Sequence, residues 1–106
     1  MTFNEYQELA LRTANERGSR LMLNGALGLC GESGEVADII KKHFFQGHEL
    51  DVEDLKNELG DVAWYMAVLA YSAHIDFEDI FKGNIEKLKK RYPDGFSAER
   101  SINRKE

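Results

Sequence analysis

Apolar positions recur along this chain at three- and four-residue intervals, and no breaker-bounded stretch alternates in the two-residue period of a strand. The pattern predicts an all-α protein, an antiparallel helical bundle of about four helices. Thr2 and Glu5 form a capping-box start for a first helix running from about Phe3 to Arg17 and stopping at Gly18. Asn24 reads as the N-cap of a second helix that ends near Phe45, with Gly47 as its terminator. Asp51, with Asp54 three residues on, starts a third helix reaching about Ala73. Asp76, with Asp79 in the same relation, starts a fourth, which Pro93 and Gly95 stop. Residues 1–97 read as one domain, and the polar residues 98–106 as a C-terminal tail.

At 100° per residue the third helix gathers Leu55, Leu59, Val62, Met66, Leu69 and Ala73 into one stripe, with Glu58 and Asp61 on its flank and Tyr65 between them. On the second helix Leu29, Val36, Ala37, Ile39, Ile40 and Phe44 make the apolar arc. Glu32 falls inside that arc and Glu35 at its edge, where an ionised carboxylate without a partner is costly. Each pair is spaced i, i+3, so both members share a helix face. One such pair alone reads as a solvated surface; two pairs, each beside an apolar stripe on neighbouring helices, are harder to explain that way. Four converging carboxylates repel unless a cation joins them, and an all-oxygen set suits Mg²⁺ or Mn²⁺. Gly31 and Gly34 each cost about 1 kcal/mol against alanine inside a helix. Bare backbone there would admit another helix or a ligand.

Composition narrows the chemistry. The chain has 106 residues, 42% hydrophobic and 31% charged, with a net charge of −5. Those values fit one folded domain and exclude a disordered chain. The acidic balance argues against nucleic acid as a partner, and no apolar run is long enough for a membrane span. Cys30, the single cysteine, excludes an internal disulfide and suits a cytoplasmic location. One cysteine and three scattered histidines give no zinc set. A di-iron site needs Glu-x-x-His, but Ile40, Phe45 and Tyr71 stand three residues before His43, His48 and His74. Mg²⁺ held by carboxylates commonly also binds substrate phosphates, which points to phosphoanhydride chemistry.

The fourth helix agrees with that direction. Asn84 interrupts the stripe made by Phe77, Phe81 and Leu88. Its amide has either a ligand or a neighbouring backbone group as partner. Lys87 and Arg91 follow on the same side, suited to phosphate oxygens. Lys41 and Lys42 could act likewise or form a solvated face.

The stretch Gly28-Leu-Cys-Gly-Glu32-Ser-Gly-Glu35-Val-Ala-Asp-Ile-Ile-Lys41, the later Glu58-Leu-Gly-Asp61-Val, and the closing Asn84-Ile-Glu-Lys87-Leu-Lys-Lys-Arg91-Tyr92-Pro93-Asp-Gly95-Phe96 carry a family likeness. Over roughly residues 3 to 97 the chain resembles the MazG-like nucleotide pyrophosphohydrolases of the all-α NTP pyrophosphatase superfamily. The resemblance implies hydrolysis of a nucleoside triphosphate, ribo or deoxy, to the monophosphate and pyrophosphate, including house-cleaning of non-standard nucleotides. It implies that Glu32, Glu35, Glu58 and Asp61 are catalytic and hold Mg²⁺ or Mn²⁺. Asn84, Lys87 and Arg91 would grip the substrate, and Tyr65 would touch the sugar or base. The base pocket would draw on Tyr6, Gln7 and the segment from Leu21 to Asn24. The same resemblance implies a homodimer or homotetramer with sites completed across subunits. A non-catalytic nucleotide-binding or helical oligomerisation module is the alternative from a different class.

Overall fold

A computed structural model describes residues 1–104. It is all-α, with five helices in the order α1 (Phe3–Leu11), α2 (Gly18–Phe45), α3 (Val52–Ser72), α4 (Phe77–Arg91) and α5 (Ala98–Ile102). There is no strand among the described residues. No helix there is long and apolar enough to cross a membrane.

The N-terminus follows its capping signals. The Glu5 amide donates to Thr2 Oγ1 at 3.0 Å, and the Thr2 amide donates to Glu5 Oε1 at 2.8 Å. The first helix nevertheless ends at Leu11, well short of Arg17. Its last carbonyls are taken by other donors. Thr13 Oγ1 and the Trp64 indole both donate to the Ala10 carbonyl, and Arg17 donates to that of Leu11 and, beyond the helix, to that of Ala14. Gly18, expected to stop that helix, instead begins α2 with φ +65°. Asn24 therefore lies inside α2 and caps nothing.

The two long helices form an antiparallel hairpin, with Gly25 facing Leu69 and Gly28 facing Tyr65. Asp51 caps α3, accepting from the Asp54 amide at 3.0 Å. The other end of α3 closes in a Schellman motif, with Ile75 N–H donating to Ala70 O and His74 N–H to Tyr71 O, both at 2.9 Å. His74 occupies the left-handed position at φ 60°, where glycine is usual.

Along α3, α1 packs antiparallel. The buried core is small: Ala10, Leu21, Ala67, Val68, Ala70 and Phe77, edged by Tyr6, Leu11, Trp64, Met66, Ile80 and Phe81. Gln7, 5% exposed, ties three elements together. Its Nε2 donates to Ala67 O and Ile75 O, and its Oε1 accepts from the Phe77 amide. Asn4 Oδ1 likewise accepts from the Glu78 amide at 3.0 Å. Asp76, expected to cap α4, makes no side-chain cap bond, so two α1 side chains satisfy that helix start instead.

Only the first half of α4 meets the core, through Phe77, Ile80 and Phe81. Its distal half and the far half of the α2–α3 hairpin leave apolar groups open, with Phe44 72% and Phe45 83% exposed. Leu59, placed in the apolar stripe by its periodicity, is also half exposed.

Candidate metal and nucleotide site

The close hairpin crossing positions the acids. A Cβ on Gly25 would lie 2.9 Å from Leu69 Cβ, and one on Gly28 would lie 2.1 Å from Tyr65 Cε1. Bare backbone at these two positions lets the helices touch. Gly31 and Gly34, which the sequence offered for that role, have nothing within 4 Å of a built Cβ. One turn beyond Gly28 comes Glu32; one turn before Tyr65 comes Asp61. The contact row thus continues directly into carboxylates.

Glu32, Glu58 and Asp61 each place a carboxylate oxygen within 4.8 Å of the others. Glu32 and Glu58 are half-buried, and Asp61 is exposed. The Glu58 carboxyl is pushed above the ordinary carboxylic range, first by its hydrogen bond with Glu32, then by desolvation and by the charges of Glu32, Asp61 and Asp54. Three carboxylates this close repel one another, and a cation among them would relieve that repulsion. The cluster's donors are all hard oxygens, and the set fits a cation such as Mg²⁺ or Mn²⁺. Burial first, and then the charge of Asp61, raise the Tyr6 phenol as well.

The other expected residues are placed less uniformly. Glu35 is exposed and lies outside the three-acid group, where its charge acts on Lys42. Lys41 pairs with Asp38 at 3.4 Å, and Lys42 pairs with the same carboxylate at 2.9 Å. Asn84 is exposed rather than buried in its stripe. Lys87 and Arg91 line a groove of about 900 Å³ between α4 and α5, and no acid of the cluster lines that groove.

Tyr65 packs on Gly28, stands edge-on to Trp64 at 5.0 Å, and lines a second cavity of about 440 Å³. Thr13, Asn15, Arg20, Asn24 and Trp64 share that wall. Of the residues the resemblance offered for a base pocket, only Leu23 and Asn24 reach it, while Leu21 and Gln7 serve the core. Sequence reasoning missed the loop residues Thr13 and Asn15, because it continued the first helix through them. It also missed Arg100 in α5 and Arg104 just after it, although their signal was present. Residues 82–106 hold eight of the fourteen Lys and Arg against four of the nineteen acids.

The model of the MazG nucleotide pyrophosphohydrolase domain matches residues 23–96, which span the three acids and all of α4. The chain is 36% identical over 69 residues to the Gene 37 protein of Mycobacterium phage L5, covering 61% of this chain and 60% of that protein. It thus spans about three fifths of this relative's length. No solved structure matches the chain. With the domain match covering well over half of its residues, this chain belongs to the MazG nucleotide pyrophosphohydrolase family.

Proposed function

We propose that the chain hydrolyses a nucleoside triphosphate, ribo or deoxy, to its monophosphate and pyrophosphate, using Mg²⁺ or, in its place, Mn²⁺. The observation that carries this reading is the convergence of Glu32, Glu58 and Asp61 within 4.8 Å on a close helix crossing. These three carboxylates would hold the cation, with Glu35 joining after a rotamer change on its exposed surface. A bound divalent cation supplies phosphate charge neutralisation and a lowered pKa for water. The carboxylates also orient the attacking water and accept its proton; Glu58, already binding a proton more tightly than usual, is suited to that role.

Asn84, Lys87 and Arg91 would grip phosphate oxygens, and Lys41 would join them by releasing Asp38. Tyr65, beside the second cavity, would touch the sugar or base. A reducing, cytoplasmic setting suits the exposed free thiol of Cys30.

The enzyme would work as a homodimer or homotetramer. Its radius of gyration is 16.8 Å, whereas a compact chain of this length has about 13 Å. Leu23, Leu27, Phe44, Phe45 and Leu59 are exposed along the α2–α3 hairpin, a face that a second copy would cover. Light scattering across a dilution series tests this: a monomer at micromolar concentration would remove the assembly from the reading.

The test of function is a panel of nucleoside triphosphates with Mg²⁺, assayed for both products. Monophosphate and pyrophosphate in equal amounts support the proposal. Diphosphate with orthophosphate, or no turnover of any nucleotide, would overturn it.

A further inference from the structure

We propose that the segment following the matched domain is part of the substrate site: Arg100 and Arg104, folded back by α5, bind the polyphosphate of the nucleotide together with Lys87 and Arg91. This rests on the functional reading above and extends it beyond residues 23–96.

The chain reversal is built in. After α4, Gly95 N–H donates to Tyr92 O at 3.1 Å across a turn that has Pro93 at its second position. Gly95 adopts φ +94°, which a side chain would oppose. Tyr92 and Phe96 meet across this turn with ring centroids 5.3 Å apart. Ser97 Oγ then accepts from the Arg100 amide at 3.3 Å and starts α5. The fold-back places Arg100 and Arg104 on the same groove as Lys87, Lys90 and Arg91.

Among the described residues, five cations therefore line about 900 Å³ of open space, with the carboxylates of Glu86 and Glu99 on the same wall. Such a surplus in a chain of net charge −5 is a local field rather than a solubility device. Cations brought together on one concave wall repel, and an anion with several oxygens relieves that repulsion. Guanidinium groups pair with phosphate oxygens through two parallel N–H bonds, so Arg100 and Arg104 add geometric selectivity to the α4 charges. One wall of the groove is a single turn of chain and a five-residue helix, which favours a compact polyphosphate over a nucleic-acid strand.

The experiment is calorimetric titration of the full chain with inorganic triphosphate at fixed salt, without metal. The double variant Arg100→Ala/Arg104→Ala is expected to bind at least about tenfold more weakly, given the strength of charge-assisted bonds. Arg100→Lys should bind more tightly than Arg100→Ala but more weakly than the parent, since an ammonium keeps the charge and loses the two parallel N–H bonds. A control pair outside the groove, Arg12→Ala/Lys56→Ala, should bind as the parent does, and matching thermal melts exclude misfolding. With nucleoside triphosphate and Mg²⁺, the α5 double variant should show a KM raised by a similar factor. Equal loss in the control pair, unchanged affinity in the α5 variant, or tighter binding of a single-stranded oligonucleotide than of triphosphate would overturn the inference. If Lys87→Ala weakens triphosphate binding and the α5 variant does not, the inference fails while the functional reading stands. Absence of any Mg²⁺-dependent hydrolysis would instead remove the reading on which it rests.

Discussion

Replacing Gln7 with leucine isolates the joint that holds α4 in place. The wild-type amide donates to Ala67 O at 3.1 Å and to Ile75 O at 3.0 Å, and accepts from Phe77 N–H at 3.2 Å. Ala67 O lies within the α3 ladder, so its loss adds little. Phe77 N–H is one of the donors a helix start leaves without an internal partner, and Asp76 makes no side-chain cap bond. Leaving it buried and unpaired costs about 1–3 kcal/mol, and orphaning Ile75 O adds about 1 kcal/mol. Leucine recovers about 1 kcal/mol through apolar burial. The net loss is about 1–3 kcal/mol, a drop of roughly 4–20 °C in Tm for a chain this size. Thermal and urea melts followed by circular dichroism at one fixed protein concentration measure it, since assembly would make Tm concentration-dependent. Amide exchange in residues 77–80 should quicken more than in α2. A change in stability below about 0.5 kcal/mol, with α4 exchange unaltered, would refute the bracket.

Other substitutions test neighbouring steps. Gly28→Ala drives a Cβ into the Tyr65 ring and should destabilise by about 1–3 kcal/mol, whereas Gly31→Ala meets nothing and should gain up to about 1 kcal/mol from helix propensity; equal shifts in their melts would contradict the close crossing. His74→Gly should stabilise by about 1 kcal/mol in urea titrations, because it relieves a left-handed residue in the α3 Schellman motif. Because Glu58 binds its proton more tightly folded than unfolded, the stability it contributes is fully present below its ordinary value of 4.5 and lost as pH rises through the raised value. In EDTA, wild type should therefore lose stability relative to Glu58→Gln as pH rises from 4 to neutrality, in paired melts. Added Mg²⁺ or Mn²⁺ should raise the wild-type Tm and leave Asp61→Asn nearly unmoved.

Much of this was legible in local chemistry. The Thr2–Glu5 box and the Asp51 cap are short-range devices, readable because the interacting atoms lie within four residues. Glu32 stood out as a charge on an apolar arc, and the structure brings it against Glu58 and Asp61. The errors fall where distant partners decide. The end of α1 depends on Trp64 reaching back to Ala10, and the start of α4 depends on Asn4 and Gln7, some seventy positions away. Neither leaves a local pattern. The helix-crossing glycines were misplaced for a similar reason: Gly25 and Gly28 matter because of what faces them, and Gly31 and Gly34 face open space. Asn84 looked buried because periodicity was extended beyond the half of α4 that the core covers.

Hydrolysis by Glu58→Gln beside wild type, at saturating Mg²⁺ and nucleotide, tests the central claim most directly. Removing one oxygen ligand and the proton acceptor together should lower the rate of pyrophosphate release at least a hundredfold, on the order of a lost acid–base group. The folded, metal-free variant should remain at least as stable as the parent at neutral pH. A variant that releases pyrophosphate as fast as wild type would contradict the assignment of these carboxylates as the reacting centre.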